Sequence, residues 1–341
     1  MPPSPDRPGG DVAALGEFAL IERLRRLVPA AGPGVRVGIG DDTAVLSVSG
    51  QLLATCDIQV EDVHFDRQVS APADIGWRAL AVNLSDIAAM GGTPRYALVS
   101  LALPPDTPIE MVEGIYRGLA EAAAASGTAV VGGNVSRTSG PLIIDVTALG
   151  EAQTVLRRDG AQPGDGVWVT GAVGKAAAGL FLLRHPQARA AGAGERLVAA
   201  YRRPTPRVAA GQALAASGVV TAVIDTSDGT ASDLLRLVEA SGVGVRLDLA
   251  RLPLADGLIE VARTAGVDPA AWGLGGGEDY ELLFTAGPAF SALAPALVQA
   301  TGVPMTKIGE ILPLAEGRWI AGPRSRDPLV AAGWDHFGHR G

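Results

Sequence analysis

A chain of 341 residues is long enough for two domains and can bury a core without covalent staples. Its 36 acidic against 28 basic residues leave a net charge of -8, which disfavours a general nucleic-acid binder, and its single cysteine, Cys56, excludes a disulfide framework or a multi-cysteine zinc site within the chain. An apolar share of 48% argues against wholesale disorder, no stretch reads as a membrane span, and the opening residues lack the apolar core of a secretory leader, so a cytoplasmic location is expected.

Residues 1–11 read as a tail. The spacing of Phe18, Ile21, Leu24 and Leu27 predicts a helix over 16–27. Residues 45–48 and 52–60 read as strands joined by a Ser49-Gly50 turn, with Cys56 buried inside the second. Leu80, Leu84 and Ile87 give residues 74–90 an apolar helical face; Asn83, Asp86 and Met90 recur on a neighbouring one, and Gly91-Gly92 stops the helix. A strand over 96–103 and a helix over 109–125 follow. Next come a short strand over 129–131 that runs into Gly132-Gly133-Asn134, and a strand over 142–149.

The polar, turn-rich segment 157–165 places a domain boundary near 150–160, giving domains 12–152 and 153–341. The second opens with a strand over 167–170, helices near 174–184 and 206–216, and a strand over 221–224. It continues with a helix over 231–240, strands over 243–247 and 280–284, a helix over 289–300 and a strand over 306–311, while 192–203 reads as a loop. Both halves mix strands and helices without a clean internal repeat, which makes the fold class α/β (α+β).

Five stretches set acids beside glycines or at strand ends. They are Gly38-Ile-Gly-Asp-Asp-Thr43, Thr55-Cys-Asp57, Asn83-Leu-Ser-Asp86, Asp225-Thr-Ser-Asp-Gly-Thr-Ala-Ser-Asp233 and Gly275-Gly-Gly-Glu-Asp-Tyr-Glu-Leu-Leu283. Any one alone is ordinary turn or cap chemistry, and Ser227 or Asp228 can cap the helix that follows. Gathered carboxylates repel unless a cation neutralises them. Hard oxygen donors suit Mg²⁺, and flanking glycines let backbone N–H groups reach phosphate oxygens. Together the five point to a multi-metal phosphate site.

Other signals fall away. Gly171-Ala-Val-Gly-Lys175 lacks the first glycine of a phosphate loop and has Ala176 in place of the Mg²⁺-binding hydroxyl. Gly38-x-Gly40 lacks the third glycine of a dinucleotide loop. His336 and His339 read as part of a terminal tail. His64 divides between substrate contact and packing, Trp334 between a core plug and an aromatic wall. Arg137, near a glycine pair, suits a phosphate grip.

The assembled motifs resemble the thiamine-monophosphate kinase family. They run from Gly16-Glu-Phe-Ala-Leu-Ile21 and Gly38-Ile-Gly-Asp-Asp-Thr-Ala-Val-Leu46 through Val60-Glu-Asp-Val-His-Phe65, Asn83-Leu-Ser-Asp-Ile-Ala-Ala-Met-Gly91 and Val131-Gly-Gly-Asn-Val-Ser-Arg137. Asp225-Thr-Ser-Asp-Gly-Thr-Ala-Ser-Asp-Leu234, Gly276-Gly-Glu-Asp-Tyr-Glu-Leu-Leu-Phe284 and Gly333-Trp-Asp-His-Phe337 complete the set. Aminoimidazole ribotide synthase, selenophosphate synthetase and a hydrogenase maturation protein share the superfamily. The reactive cysteine of selenophosphate synthetase and the terminal cysteine of the hydrogenase maturation protein have no counterpart in a chain whose one cysteine is Cys56, and the motif wording disfavours the purine enzymes.

The resemblance implies a two-domain aminoimidazole-ribotide-synthase-like fold whose N-terminal sheet pairs across a homodimer. Domain 12–152 would bind ATP and metal and dimerise; domain 153–341 would close the substrate cleft. ATP is the co-substrate, several Mg²⁺ ions take part with room for a monovalent cation, and thiamine monophosphate becomes thiamine diphosphate by direct phosphoryl transfer. No nucleic acid or membrane partner is implied.

Carried over by motif, Asp41, Asp42, Thr55, Asp57, Asp86, Asn134, Asp225 and Asp228 are metal ligands. Gly132, Gly133, Asn134, Ser227 and Asp228 bind nucleotide, and Asp228 and Arg137 are catalytic. His64, Arg137, Asp233, Glu278, Tyr280 and Trp334 contact substrate. Five positions depart from the family pattern: Asn134-Val135 stands for Asp-Thr, Thr226 and Thr230 for Ile and Leu, and Asp62 for Gly. A kinase or synthetase acting on another small phosphate ester, or a silent nucleotide-binding paralogue, fits the same motifs.

Overall fold

The computed structural model describes residues 10–28, 32–39, 43–188, 192–322 and 325–334. They fall into two compact units, one drawn from 1–87 and 93–153, the other from 88–92 and 154–341.

The first unit opens with α1 (Val12–Leu15), α2 (Glu17–Arg25) and an antiparallel pair, β1 (Val35–Val37) and β2 (Val45–Leu46). Its main elements are β3 (Gln51–Val60), α3 (Pro72–Ala89), β4 (Thr93–Leu103), α4 (Ile109–Ser126), β5 (Ala129–Arg137) and β6 (Ile143–Ala152). The sheet order is β3-β6-β4-β5. Only β4 and β5 run parallel, and α4 supplies the crossover that parallel neighbours require. Leu80 and Leu84 of α3 and Val112, Ile115 and Leu119 of α4 share one buried cluster with Val99, Leu101, Ile144 and Val146 of the sheet. The two helices touch backbone to backbone. A Cβ on Gly76 would overlap the Ile115 carbonyl oxygen, and one on Gly118 the Ala73 carbonyl oxygen. Glycine disfavours a helix interior by about 1 kcal/mol, and here its missing side chain is what permits the contact that seats α3.

Three expectations change. The Ser49-Gly50 turn does not join a hairpin, because β2 pairs with β1 while β3 pairs with β6. The strand expected over 129–131 continues through Gly132-Gly133-Asn134 to Arg137, since the β4 ladder supplies hydrogen bonds whatever the side chain. Cys56 is exposed. On β3, Leu52, Ala54, Cys56 and Ile58 all lie on the exposed side, an alternation that the apolar run Leu-Leu-Ala-Thr-Cys conceals.

In the second unit, β7 (Gly166–Thr170), β8 (Val220–Asp225), β9 (Gly244–Asp248), β10 (Leu282–Ala286), β11 (Met305–Leu312), β12 (Arg318–Ala321) and β13 (Arg326–Pro328) form one sheet. Their order is β13-β12-β9-β11-β7-β10-β8, antiparallel except where β12 runs beside β9. The helices are α5 (Lys175–Arg184), α6 (Ala193–Arg202), α7 (Val208–Ser217), α8 (Thr230–Ser241), α9 (Leu258–Ala265), α10 (Pro269–Gly275) and α11 (Phe290–Thr301). The segment read as a loop over 192–203 is thus largely α6, with Leu197 and Tyr201 buried on one side. β7 and β10 are buried along their whole length, which is why each is apolar but for one threonine, Thr170 and Thr285. Leu234, Leu237 and Val238 of α8 pack with Val169, Ile224 and Leu283. Phe290 of α11 meets Trp168 and Phe284 edge-on, at centroid distances of 5.0 and 5.1 Å. Among the described residues, no helix is long and apolar enough to cross a membrane.

Candidate functional site

The first unit positions its acids with an edge strand and a helix. Thr55 and Asp57 alternate with the exposed residues of β3, and Asn83 and Asp86 lie three residues apart, on one side of α3. Thr55 Oγ1 donates to Asp86 Oδ2 at 2.5 Å. Asn83, fully buried, accepts the Asp57 N–H at 3.1 Å and donates to the Ala79 carbonyl at 3.0 Å. Thr55, Asp57 and Asp86 therefore come together, both carboxylates half-buried. They offer oxygen donors alone, the set that fits a hard cation sharing its coordination with water and phosphate. Among the described residues, no three His, Cys, Asp or Glu side chains gather closely enough to hold a metal without such help. Asp41 and Asp42 lie outside the described residues.

The turn after β3 carries His64. Val60 N–H donates to His64 Nδ1 at 3.0 Å, and His64 N–H donates to the Val60 carbonyl at 2.8 Å. Within this turn Asp62 has φ +65°. Glycine adopts that left-handed conformation freely, and aspartate is among the few other residues that tolerate it. The buried Glu61 accepts the Leu142 N–H at 3.0 Å and pairs with Arg67, so it fastens the turn to the strand leading into β6.

Gly132, Gly133, Asn134 and Arg137 lie on β5, the opposite edge of the sheet. Two strands separate β5 from β3, roughly 14 Å at the usual strand spacing. Asn134 is therefore not brought to Asp57 and Asp86, and its Oδ1 accepts the Val135 N–H at 3.0 Å. Arg137 is exposed at the end of β5, paired in register with Leu103.

In the second unit, a loop from β8 to α8 carries Asp225, Thr226, Ser227 and Asp228. Asp233, fully buried in the first turn of α8, accepts the Asp228 and Gly229 N–H groups at 3.1 and 3.0 Å. Arg236 Nη1 lies 2.6 Å from both Asp233 Oδ1 and Asp228 Oδ2. Burial first, and then the Asp228 charge, push the Asp233 carboxyl up to about 6. Asp233 was expected to touch substrate. Its burial and its bonds to the loop and Arg236 make it a fastening for that loop instead.

Two further segments close on Asp228. Glu278 N–H donates to the Ser227 carbonyl at 2.7 Å, and Trp334 N–H to the Asp228 carbonyl at 3.0 Å. Gly333 allows the second contact, since a Cβ there would overlap the same carbonyl oxygen. Ser227, Asp228, Glu278 and Trp334 are thus neighbours, with Trp334 39% exposed and Tyr280 buried. Lys175, set aside as a phosphate-loop lysine, is paired with the buried Glu281.

The sequence profile of the AIR synthase related protein, N-terminal domain, matches residues 40–152, and that of the AIR synthase related protein, C-terminal domain, matches residues 162–319. The thiamine-monophosphate kinase of Escherichia coli K12 is 36% identical over 332 residues, covering 95% of this chain and 99% of the relative. The chain belongs to the thiamine-monophosphate kinase family. A crystal structure of the family from Stenotrophomonas maltophilia K279a is 36% identical with a TM-score of 0.80, covering 91% of this chain and 98% of the other. The structure of AaThiL complexed with AMPPCP and TMP is 35% identical with a TM-score of 0.75, covering 95% and 97%.

Two departures from the family pattern acquire physical reasons. Asp62 sits where the backbone requires a positive φ. Thr226 uses its hydroxyl to accept the Glu281 N–H at 3.0 Å, a bond that isoleucine cannot make. Thr230 has none: its buried hydroxyl has no hydrogen-bond partner among the described residues. Motif reading quoted Asn83, Asp279 and Glu281 without giving them a role, and it passed over Arg236 and Arg207. The available signal was the spacing of Asp279 and Glu281 at the mouth of a largely apolar strand, where buried acids demand partners.

Proposed function

We propose that this chain transfers the γ-phosphoryl group of ATP to thiamine monophosphate, giving thiamine diphosphate. Membership of the family supports the activity, and the Thr55–Asp57–Asp86 oxygen cluster on β3 and α3 is the observation that carries it to residues. Mg²⁺, when bound, would supply neutralisation of the phosphate charge. Asp57 and Asp86 would hold it, with Thr55 keeping the Asp86 carboxylate oriented. Asp225 and Asp228 form a second acidic set, in which Asp228 is also paired with the Arg236 guanidinium.

The acceptor is a phosphate monoester with a second pKa of about 6, so it arrives largely ionised and needs no strong general base. The residues therefore align and neutralise rather than abstract a proton. We assign His64 and Arg137 to phosphate contact, the Gly132 and Gly133 amides with Ser227 to nucleotide, and Glu278, Tyr280 and Trp334 to the thiamine moiety. Asn134, distant from Asp57, acts at a separate position. We read 12–152 as the nucleotide-, metal-binding and dimerisation domain and 153–341 as the domain of the second acidic set, in a cytoplasmic homodimer. Exposed Leu52 and Ile58 on β3 support a partner subunit on that face.

The deciding experiment incubates the protein with ATP, Mg²⁺ and thiamine monophosphate and reads products by mass spectrometry. Equal amounts of thiamine diphosphate and ADP are expected. ADP and free phosphate without thiamine diphosphate would assign another acceptor; no ADP from folded, ATP-binding protein would leave a binding function.

A further inference from the structure

The loop between α10 and β10 has an unusual backbone. Gly277, Glu278 and Tyr280 have φ values of +64°, +58° and +49°. Residues with side chains persist in this region only where their surroundings over-determine them. The surroundings here are two buried carboxylates that alternate with the strained positions.

Asp279 reaches the first turn of α5 and accepts the N–H groups of Gly174 at 2.5 Å and Ala176 at 3.0 Å. Glu281, with no exposed surface, accepts from Thr170 Oγ1 at 2.7 Å and from the Lys175 ammonium. It also receives a two-pronged pair from Arg207, Nε at 2.6 Å and Nη2 at 2.5 Å. Its own N–H donates to Thr226 Oγ1, and its carbonyl accepts the Thr226 N–H at 2.8 Å. Gly171 leaves room for the carboxylate, because a Cβ there would overlap it. Burial opposes the Glu281 charge, yet Arg207 and Lys175 outweigh it and hold the carboxyl below its ordinary range. Two cations on one buried acid exceed what packing alone requires, and none of these groups has a part in the chemistry described above.

We propose that Arg207, Lys175 and Glu281 are positioning residues that lock the Gly277–Tyr280 loop and so set the affinity for thiamine monophosphate, leaving the phosphoryl-transfer step itself unchanged. The proposal rests on the reading that Glu278 and Tyr280 contact that substrate. Arg207 fixes the orientation of Glu281 through its planar fork, which lysine cannot reproduce. Lys175 adds charge without direction, so its loss weighs less.

The test compares Arg207→Met, Arg207→Lys and Lys175→Met with wild type in steady-state kinetics and thermal unfolding, together with calorimetric binding of thiamine monophosphate. Arg207→Met should raise KM and Kd for thiamine monophosphate at least about fivefold, with kcat and KM for ATP within about twofold. Arg207→Lys should recover part of that loss, and Lys175→Met should show the smallest change. Should Arg207→Met fail to fold, the graded pair Arg207→Lys and Lys175→Met carries the same comparison. Variants that melt earlier while KM for thiamine monophosphate stays at the wild-type value overturn the proposal, as does a parallel loss in kcat and in KM for both substrates. Wild-type protein that neither binds nor phosphorylates thiamine monophosphate overturns the underlying reading, and the proposal with it.

Discussion

The Asp57–Asp86 cluster of the first unit and the Asp233 and Glu281 acids of the second are held by different partners. In the first, the Asp86 carboxylate is oriented by a hydroxyl and the Asp57 backbone by a side-chain amide. Neutral donors hold a carboxylate in place without cancelling its charge. In the second, Asp233 is met by Arg236, and Glu281 by Lys175 and Arg207. A buried acid matched by cations is a fastening, and removing one member leaves the rest stranded. Clusters that look alike in sequence are thus held by different chemistry once folded.

The contrast can be broken most forcefully at Asp233. Asp233→Ala leaves the Asp228 and Gly229 N–H groups without their acceptor while Arg236 keeps Asp228, so unfolding in urea should show a loss of roughly 2–3 kcal/mol. An unchanged midpoint would mean that the Asp228 loop is held by other bonds. Asp57→Asn should do the reverse, leaving stability near wild type while kcat falls at least about tenfold, or ~1.4 kcal/mol. Normal turnover at limiting Mg²⁺ would remove Asp57 from the metal site.

Asp279 sharpens the comparison through pH. Burial lifts its carboxyl from 3.8 to about 6, against the partial relief of Lys175 and the α5 amides. The folded state therefore binds its proton more tightly than the unfolded state does. This contribution favours folding at the acid end, declines as pH rises from about 4 to 6, and is level above that. The melting temperature of wild type minus that of Asp279→Asn should accordingly fall across this window; a flat difference would show that Asp279 ionises normally. The smallest effect belongs to Thr230→Val. Replacing an unpartnered buried hydroxyl by a methyl should stabilise by about 0.5–1 kcal/mol in the same urea assay.

Much of the architecture was legible because long elements carry their period openly. The α3 face of Leu80, Leu84 and Ile87 and the α4 face of Val112, Ile115 and Leu119 are examples. Short elements were not. β1, β12, β13, α9 and α10 span three to eight residues and exist because neighbours pair with them or bury one side. β5 was cut short at its glycines because local propensity ignores an adjacent ladder. Thr55, Asp57 and Asp86 could be read from motif, and the structure brings them together. Motif alone could not tell Asp228, which is partly exposed, from Asp233, five residues on and fully buried. That distinction depends on the direction of the α8 first turn, and only the fold supplies it.

The hydrogen bond from Val60 to His64 has one more consequence. An acceptor nitrogen must keep its lone pair, so the neutral ring carries its hydrogen on Nε2. In that tautomer the ring's second polar group is an N–H donor, and no basic nitrogen is left over. Charging the ring would place a hydrogen on Nδ1, facing the Val60 N–H, and that bond would be lost. The backbone of β3 thereby decides which half of the imidazole's chemistry is available.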